Sequence, residues 1–233
     1  EFKRDTENWT YEVTQKEYID EVVRKFRIPD EAKPCYVPAP SNMAADIYTG
    51  EKLANINIYQ QLVGAMMYLN STARKDISFV VNLLCRLMQT PTKNAWEVAK
   101  YSLKYLKTKH DLPLVLGGRI IDPENMLSAF SDADWAVDRE GRRSTTGCVV
   151  FFNGHCIFSE TRLQKTVALH SVESEYYALS DTTKSVLLFR ALIKDSSLFP
   201  EQGATPIYLD SAGAKAIVLP RAEANSARES TST

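Results

Sequence analysis

The spacing of the apolar residues changes at Gly117-Gly118. Before this point, apolar side chains recur every three or four residues over 58–69, 76–88 and 92–109, which predicts amphipathic helices. After it, residues 126–134 alternate, with Phe130, Asp132 and Asp134 on one parity, which predicts a strand with one buried face. The two periods belong to different elements, so we predict a helical segment followed by an α/β layer.

Further local signals complete the order of elements. An amphipathic pattern over 11–26 predicts a first helix, and the prolines of 29–56 predict a linker-like loop. In the second half, Asn153-Gly154 is typical of a hairpin turn that joins two strands. We place the other elements as follows: a return strand over 155–160, a short strand over 167–169, a long helix over 172–194, a strand over 206–210, a helix over 211–219 and a disordered tail over 220–233.

The composition excludes several classes of protein. The chain has 233 residues, of which 44% are hydrophobic, and its 28 Lys and Arg nearly balance its 29 Asp and Glu. A balanced charge predicts that any nucleic-acid contact is local, and no apolar run is long enough to cross a membrane. The N-terminus has neither a Met nor a signal-like stretch, so we expect a segment of a larger protein. The four cysteines and three histidines lack zinc-site spacing, which leaves carboxylates as candidates for chemistry.

Three carboxylates occupy similar places in the second half. Asp132 and Asp210 fall at the ends of predicted strands, and Glu175 falls near the start of the long helix. Strand ends and helix starts meet at one edge of an α/β sheet, and acidic groups gathered there favour divalent cations. The pattern by itself also fits aspartates that merely cap turns or helices, so spacing alone leaves both interpretations open.

Several ordered motifs resemble one family. The stretch 131–147, with Ser131-Asp132-Ala133-Asp134-Trp135, is similar to the ribonuclease H domain of copia-type LTR retrotransposon Pol polyproteins. So are the stretches 166–180 and 207–217. Upstream, 59–69, 74–77 and 103–107 resemble the segment that connects reverse transcriptase to ribonuclease H, and 15–26 resembles the end of the reverse transcriptase thumb.

The resemblance implies a set of roles. Asp132, Glu175 and Asp210 would be catalytic and would bind two Mg²⁺ (or Mn²⁺) ions, with Asp132 bridging both; Asp134 and Glu173 compete for the roles of Asp132 and Glu175. The implied reaction is hydrolysis of the RNA strand of an RNA–DNA hybrid. The implied partners are that hybrid and the reverse transcriptase portion of the parent polyprotein, with no membrane, inside the cell in a cytoplasmic particle or the nucleus.

The resemblance also divides the chain. We expect a thumb-end helix and proline-rich linker over 1–56, a helical connection segment over 57–118, a ribonuclease H-like α/β domain with a mixed sheet flanked by helices over 119–219, and the tail over 220–233. The family has a fourth acidic ligand late in the domain, whereas Glu223 and Glu229 are the only acids after Asp210 and stand in no fitting context. We therefore expect a truncated domain whose activity is weak or absent, with an apolar sheet face left open to self-association. The alternative is a catalytically dead structural or nucleic-acid-binding relic.

Two groups of basic residues are candidates for phosphate contact. Lys100, Lys104 and Lys107 share a face of one predicted helix, although such a stripe is also typical of a solvated face. Arg139, Arg142 and Arg143 follow the first strand of the α/β layer and lie closer to the carboxylates in sequence. Trp135 is an aromatic candidate for base stacking, with burial in the core as the competing interpretation.

Overall fold

The computed structural model describes residues 1–41, 43–120, 122–136 and 141–218. The predicted α/β architecture, a helical segment followed by a mixed sheet flanked by helices, is confirmed. The first half contains β1 (Phe2–Asp5), β2 (Thr10–Val13), α1 (Lys16–Lys25), α2 (Met43–Asp46), α3 (Ile56–Thr72), a 3₁₀ turn (Lys75–Ile77), α4 (Ser78–Cys85) and α5 (Lys93–Thr108). The second half contains β3 (Leu114–Gly117), β4 (Leu127–Asp134), β5 (Thr145–Phe152), β6 (His155–Leu163), α6 (Ser171–Ser196), β7 (Ile207–Tyr208) and α7 (Ala212–Val218).

A three-stranded sheet replaces the start of the predicted first helix. β2 pairs antiparallel with both β1 and β3, and Tyr11 lies opposite Leu116 from the other end of the helical segment. The helix predicted from Tyr11 therefore begins only at Lys16. Pairing with a strand about a hundred residues away outweighs the local helical pattern, because strand formation is decided by cross-strand partners.

The helices of the first half share one core. Buried apolar residues of α1, α3, α4 and α5 pack together, and Met43 and Ile47 of the proline-rich stretch join them. The stretch interpreted as a linker is thus packed against the helices along part of its length. Thr92 caps α5, because its hydroxyl accepts the N–H of Ala95 and also donates to the carbonyl of Ile47.

A buried arginine joins the ends of three helical elements in this core. The side chain of Arg74, 1% exposed, donates two hydrogen bonds to Asp76 at 2.7 and 3.0 Å and a third to the carbonyl of Lys109 at 2.8 Å. The hydroxyl of Tyr105 donates to the same Asp76 carboxylate at 2.6 Å. The network holds the end of α3, the 3₁₀ turn and the end of α5 in one arrangement.

The second sheet has the strand order β6-β5-β4-β7. β5 and β6 form the predicted hairpin, and Asn153 and Gly154 both have positive φ, as a two-residue turn of this kind requires. β4 is antiparallel to β5 but parallel to β7. The predicted parity of β4 is confirmed: Leu127, Ala129 and Ser131 are buried, whereas Phe130, Asp132 and Asp134 are exposed.

The two faces of this sheet are covered differently. α6 packs on the face that carries Ala129 and Val150, where Val186 and Phe189 meet the sheet. α4 approaches the other face at β6: the side-chain amide of Asn82 donates to the carbonyl of Thr161, and the hydroxyls of Ser78 and Ser159 lie 3.0 Å apart. On the same face, Phe130 and Tyr208 stack with their ring centroids 4.9 Å apart and remain about half exposed, so an apolar part of this face is open to solvent.

One predicted strand is wrong. Residues 167–169 form no strand but a connection that leads into α6, and the Leu169 side chain is exposed. The Leu169 N–H donates instead to the carboxylate of Glu173 at 2.7 Å, so this N–H serves the helix start rather than a sheet. The predicted tail, 220–233, lies outside the described residues.

Candidate functional site

The parallel pairing of β4 and β7 places two of the predicted carboxylates side by side. Phe130 lies opposite Tyr208 in this pairing. Asp132 lies two residues after Phe130, and Asp210 lies two residues after Tyr208. Both therefore reach the same edge of the sheet, and both are exposed. This is the edge at which the carboxyl ends of parallel strands place their ligand-binding groups.

The third carboxylate comes from the helix above this edge. Glu175 lies near the N-terminal end of α6, on the side that packs against the sheet, and is 9% exposed. One carboxylate oxygen from each of Asp132, Glu175 and Asp210 lies within 4.8 Å of the others. The structure thus brings together the three acids that the sequence singles out, in a group that we call the carboxylate cluster.

The two competing acids lie outside this cluster of three. Glu173 is engaged at the start of α6, where its carboxylate accepts the N–H of Leu169 and the hydroxyl of Tyr177. These hydrogen bonds lower its pKa. Asp134 lies two residues beyond Asp132 on the same strand, and partial burial, with the nearby Asp132 charge second, raises its pKa.

The electrostatics of the cluster favour a cation. Burial, followed by the charges of Asp132 and Asp210, raises the pKa of Glu175 to about 7, whereas a backbone hydrogen bond from Ala133 opposes the shift. The Oε2 atom of Glu175 is buried and has no hydrogen-bond partner among the residues that the structure describes. Converging carboxylate oxygens, one of them buried and unpartnered, are a donor set that suits Mg²⁺ or Mn²⁺. The residues present therefore fit the metal that the resemblance implies.

The basic candidates are placed unequally. Lys100 pairs with Glu97 at 2.7 Å, and Lys107 pairs with Asp30 at 2.9 Å and also donates to the carbonyl of Pro29. Lys104, between them on α5, is partly buried. Two of the three lysines thus have an acidic partner within the chain, which reduces the charge available for phosphates.

The two described members of the predicted arginine group lie at the same end of the sheet as the carboxylates. Arg142 is exposed, with a positive φ, and Arg143 is partly buried; Arg139 lies outside the described residues. Both described arginines precede β5, whose first residue, Thr145, pairs with Asp134. Trp135 is 44% exposed, and its indole N–H donates to the carbonyl of Ala168, so the core interpretation holds for only part of this ring.

Sequence reasoning missed two polar side chains near this edge. Arg86, directly after α4, donates to Asn82 and to the hydroxyl of Thr145 at 3.0 Å, and its charge acts on Asp134. Gln164, directly after β6, is buried and bonds to β5 and α6. The four-residue spacing of Asn82 and Arg86 predicts only that they are neighbours on a helix, and no local signal for Gln164 predicts where its amide points.

Comparisons with known proteins place the chain among transposon proteins. No family model matches it, and no solved structure matches it. No helix in the described part of the chain is both long and apolar enough to cross a membrane.

Three relatives show the relationship. The chain is 30% identical over 212 residues to a retrovirus-related Pol polyprotein from transposon TNT 1-94 of Nicotiana tabacum, and 31% identical over 204 residues to one from transposon RE1 of Arabidopsis thaliana. Each match covers 87% of the chain but only 15% and 13% of those polyproteins, respectively. An uncharacterized mitochondrial protein of Arabidopsis thaliana is 33% identical, with 73% of the chain and 68% of that protein covered. The chain belongs to the family of copia-type, retrovirus-related Pol polyproteins of transposons.

Proposed function

We propose that the chain is a ribonuclease H-like part of a retrotransposon Pol polyprotein that hydrolyses the RNA strand of RNA–DNA hybrids. The observation that carries this proposal is the carboxylate cluster, in which oxygens from β4, from the residues after β7 and from α6 lie within 4.8 Å of one another. Asp132, Glu175 and Asp210 would hold divalent metal ions. Bound Mg²⁺ or Mn²⁺ supplies charge stabilisation to a phosphodiester and makes water a better nucleophile.

The three acids of the cluster differ in exposure, and their proposed roles differ accordingly. Asp132 and Asp210 are exposed, so a phosphate group can approach them from solvent. Glu175 is buried on α6, and its position is fixed by the packing of that helix on β4 and β5. β4 and α6 thus hold Asp132 and Glu175 before any ligand arrives, and Asp210 follows β7 by two residues; catalytic geometry requires such preformed positions.

We propose a weak activity, because the described residues bring three carboxylates to this point whereas the family resemblance implies four. Fewer protein oxygens leave more of the metal shell to water and lower its occupancy. The reverse transcriptase portion of the parent polyprotein is the proposed partner that would deliver the hybrid.

Cleavage of a labelled hybrid tests the proposal. The pure chain should cut only the RNA strand, slowly, with Mg²⁺ or Mn²⁺ and not with EDTA. Asp132→Asn should lower the rate at least about tenfold, because it removes a ligand charge from the cluster. Asp30→Asn is the control, since Asp30 is an exposed carboxylate on the helical segment. Cleavage that is equally fast in Asp132→Asn would contradict the assignment, and a wild type that neither cleaves nor binds metal would leave a nucleic-acid-binding or structural role.

We expect Arg142 to contact phosphate. It is exposed at the cluster end of the sheet, and no described residue forms an ion pair with it of the kind that Lys100 and Lys107 make. Arg142→Ala should weaken hybrid binding in EDTA and reduce the slope of log affinity against log salt by about one. Fluorescence anisotropy over a salt series measures both, with Lys107→Ala as the control. An equal loss of slope in the control would argue for a diffuse electrostatic surface instead.

A further inference from the structure

Gln164 connects three elements at the edge of the sheet where the carboxylate cluster lies. It follows β6 directly, is 5% exposed, and its backbone N–H donates to the carbonyl of Ser144 at 2.8 Å. Its side-chain amide nitrogen donates to the hydroxyl of Thr146 on β5 at 3.1 Å and to the carbonyl of Ser174 on α6 at 2.9 Å. One side chain therefore joins β6, β5 and the beginning of α6.

One acceptor is adjacent to Glu175, and the other lies opposite a residue that hydrogen-bonds to it. Ser174 precedes it in α6, and Thr146 lies opposite Ala133, whose backbone hydrogen-bonds to Glu175. Ser174 and Thr146 are each at most 1% exposed, so water does not compete for these bonds. The orientation of the Gln164 amide is fixed, because a carbonyl such as that of Ser174 can only accept a hydrogen bond.

We propose that Gln164 is a positioning residue for the carboxylate cluster: it fixes the first turns of α6 against β5, so that Glu175 reaches Asp132 and Asp210. The inference rests on the metal-binding role proposed above and adds a residue that lies outside the three acids. Groups that orient a metal ligand commonly change metal affinity about 10- to 100-fold when they are lost.

A second buried glutamine, which lies beside the same sheet, provides the control. Gln202 is 7% exposed, its amide nitrogen donates to the carbonyls of Pro123 and Pro200, and its oxygen accepts the N–H of Met126. These bonds lie beside the start of β4, whereas Asp132 lies near the other end of the same strand. Gln164→Met removes two buried side-chain hydrogen bonds and Gln202→Met removes three, and both retain similar volumes, but only the first is near the cluster.

The test measures Mn²⁺ affinity by titration calorimetry or electron paramagnetic resonance, together with the unfolding free energy. Gln164→Met should raise the Mn²⁺ dissociation constant roughly 10- to 100-fold, whereas Gln202→Met should change it less than about twofold at a similar loss of stability. Equal changes in both variants, or none in Gln164→Met, would overturn the inference. If Gln164→Met does not fold, Thr146→Val removes one of the two bonds and should raise the constant by a smaller factor; an unchanged constant would count against the inference.

A metal-free measurement separates this inference from the proposed function. Hydrogen–deuterium exchange of residues 171–178 should speed up in Gln164→Met and not in Gln202→Met, because only the first variant releases the start of α6. If the wild type binds no Mn²⁺, the proposed function fails. The inference that Gln164 positions Glu175 is then tested by hydrogen–deuterium exchange alone, and unchanged protection of residues 171–178 in Gln164→Met would overturn it.

Discussion

Glu175→Gln should make the metal-free protein more stable at pH 8, by about 2–3 kcal/mol, although it removes a proposed metal ligand. Burial and the charges of Asp132 and Asp210 raise the pKa of Glu175 from its ordinary 4.5 to about 7. The protonated side chain is therefore favoured by the fold, and this contribution is fully present below pH 4.5. It is lost as the pH rises through 7, where the buried carboxylate must ionise. Glutamine keeps the neutral form at every pH.

Denaturant unfolding in EDTA at pH 4.5 and pH 8 measures this effect. The variant and the wild type should differ little at pH 4.5 and most at pH 8. Glu173→Gln is the control two residues earlier on the same helix. Its carboxylate is stabilised by the Leu169 N–H and the Tyr177 hydroxyl, so its loss should lower stability at pH 8.

Mn²⁺ should stabilise the wild type and not Glu175→Gln. If the variant gains as much stability from the metal as the wild type does, the proposed metal-binding role of Glu175 is contradicted.

Arg74→Ala should lower the free energy of unfolding by about 3–5 kcal/mol. The substitution removes a guanidinium that is 1% exposed and donates to both oxygens of Asp76 and to the carbonyl of Lys109. The Asp76 carboxylate then keeps the hydrogen bond from the Tyr105 hydroxyl but has lost its cationic partner. Arg74→Lys should recover only part of the loss, because an ammonium group cannot reproduce the two parallel hydrogen bonds to Asp76.

The comparison for this prediction is an ion pair on the surface. Lys107→Ala breaks the pair with Asp30, whose side chain is fully exposed, and should lower the free energy of unfolding far less than Arg74→Ala does. Urea unfolding of the three variants ranks the effects. Similar losses in Arg74→Ala and Lys107→Ala would show that the buried network does not stabilise the fold beyond an ordinary surface pair.

The elements with strong local signals are the ones that the sequence predicts well. The helices of 58–109, the Thr92 cap, the parity of β4 and the Asn153-Gly154 hairpin all follow from residues close together in the chain. The carboxylate cluster also follows, because the strand ends and the start of α6 can be placed from pattern. Its selection over the competing acids depends on the family resemblance rather than on spacing.

Most of the failures involve distant partners, and one has a local cause. β2 forms because Tyr11 meets Leu116, and Met43 and Ile47 are buried because helices far along the chain cover them. The predicted strand at 167–169 fails because the Leu169 N–H is taken by Glu173. Gln164 and Arg86 are the instructive cases at the site, since a polar residue between elements carries no periodic signal and its role depends on what packs around it.

The contact between α4 and the second sheet has a practical consequence for dividing the chain into expression fragments. A fragment that begins at Arg119 would lose Ser78, Asn82 and Arg86, and with them the partners of Ser159, Thr161 and Thr145. It would also lose β3, which contacts β6. The residues of β6 and β5 that α4 now covers would then face water beside the open ring pair of Phe130 and Tyr208. A soluble fragment for metal-binding or cleavage work should therefore keep the chain from β1 onward, because α1 belongs to the helical core and β2 pairs with β3.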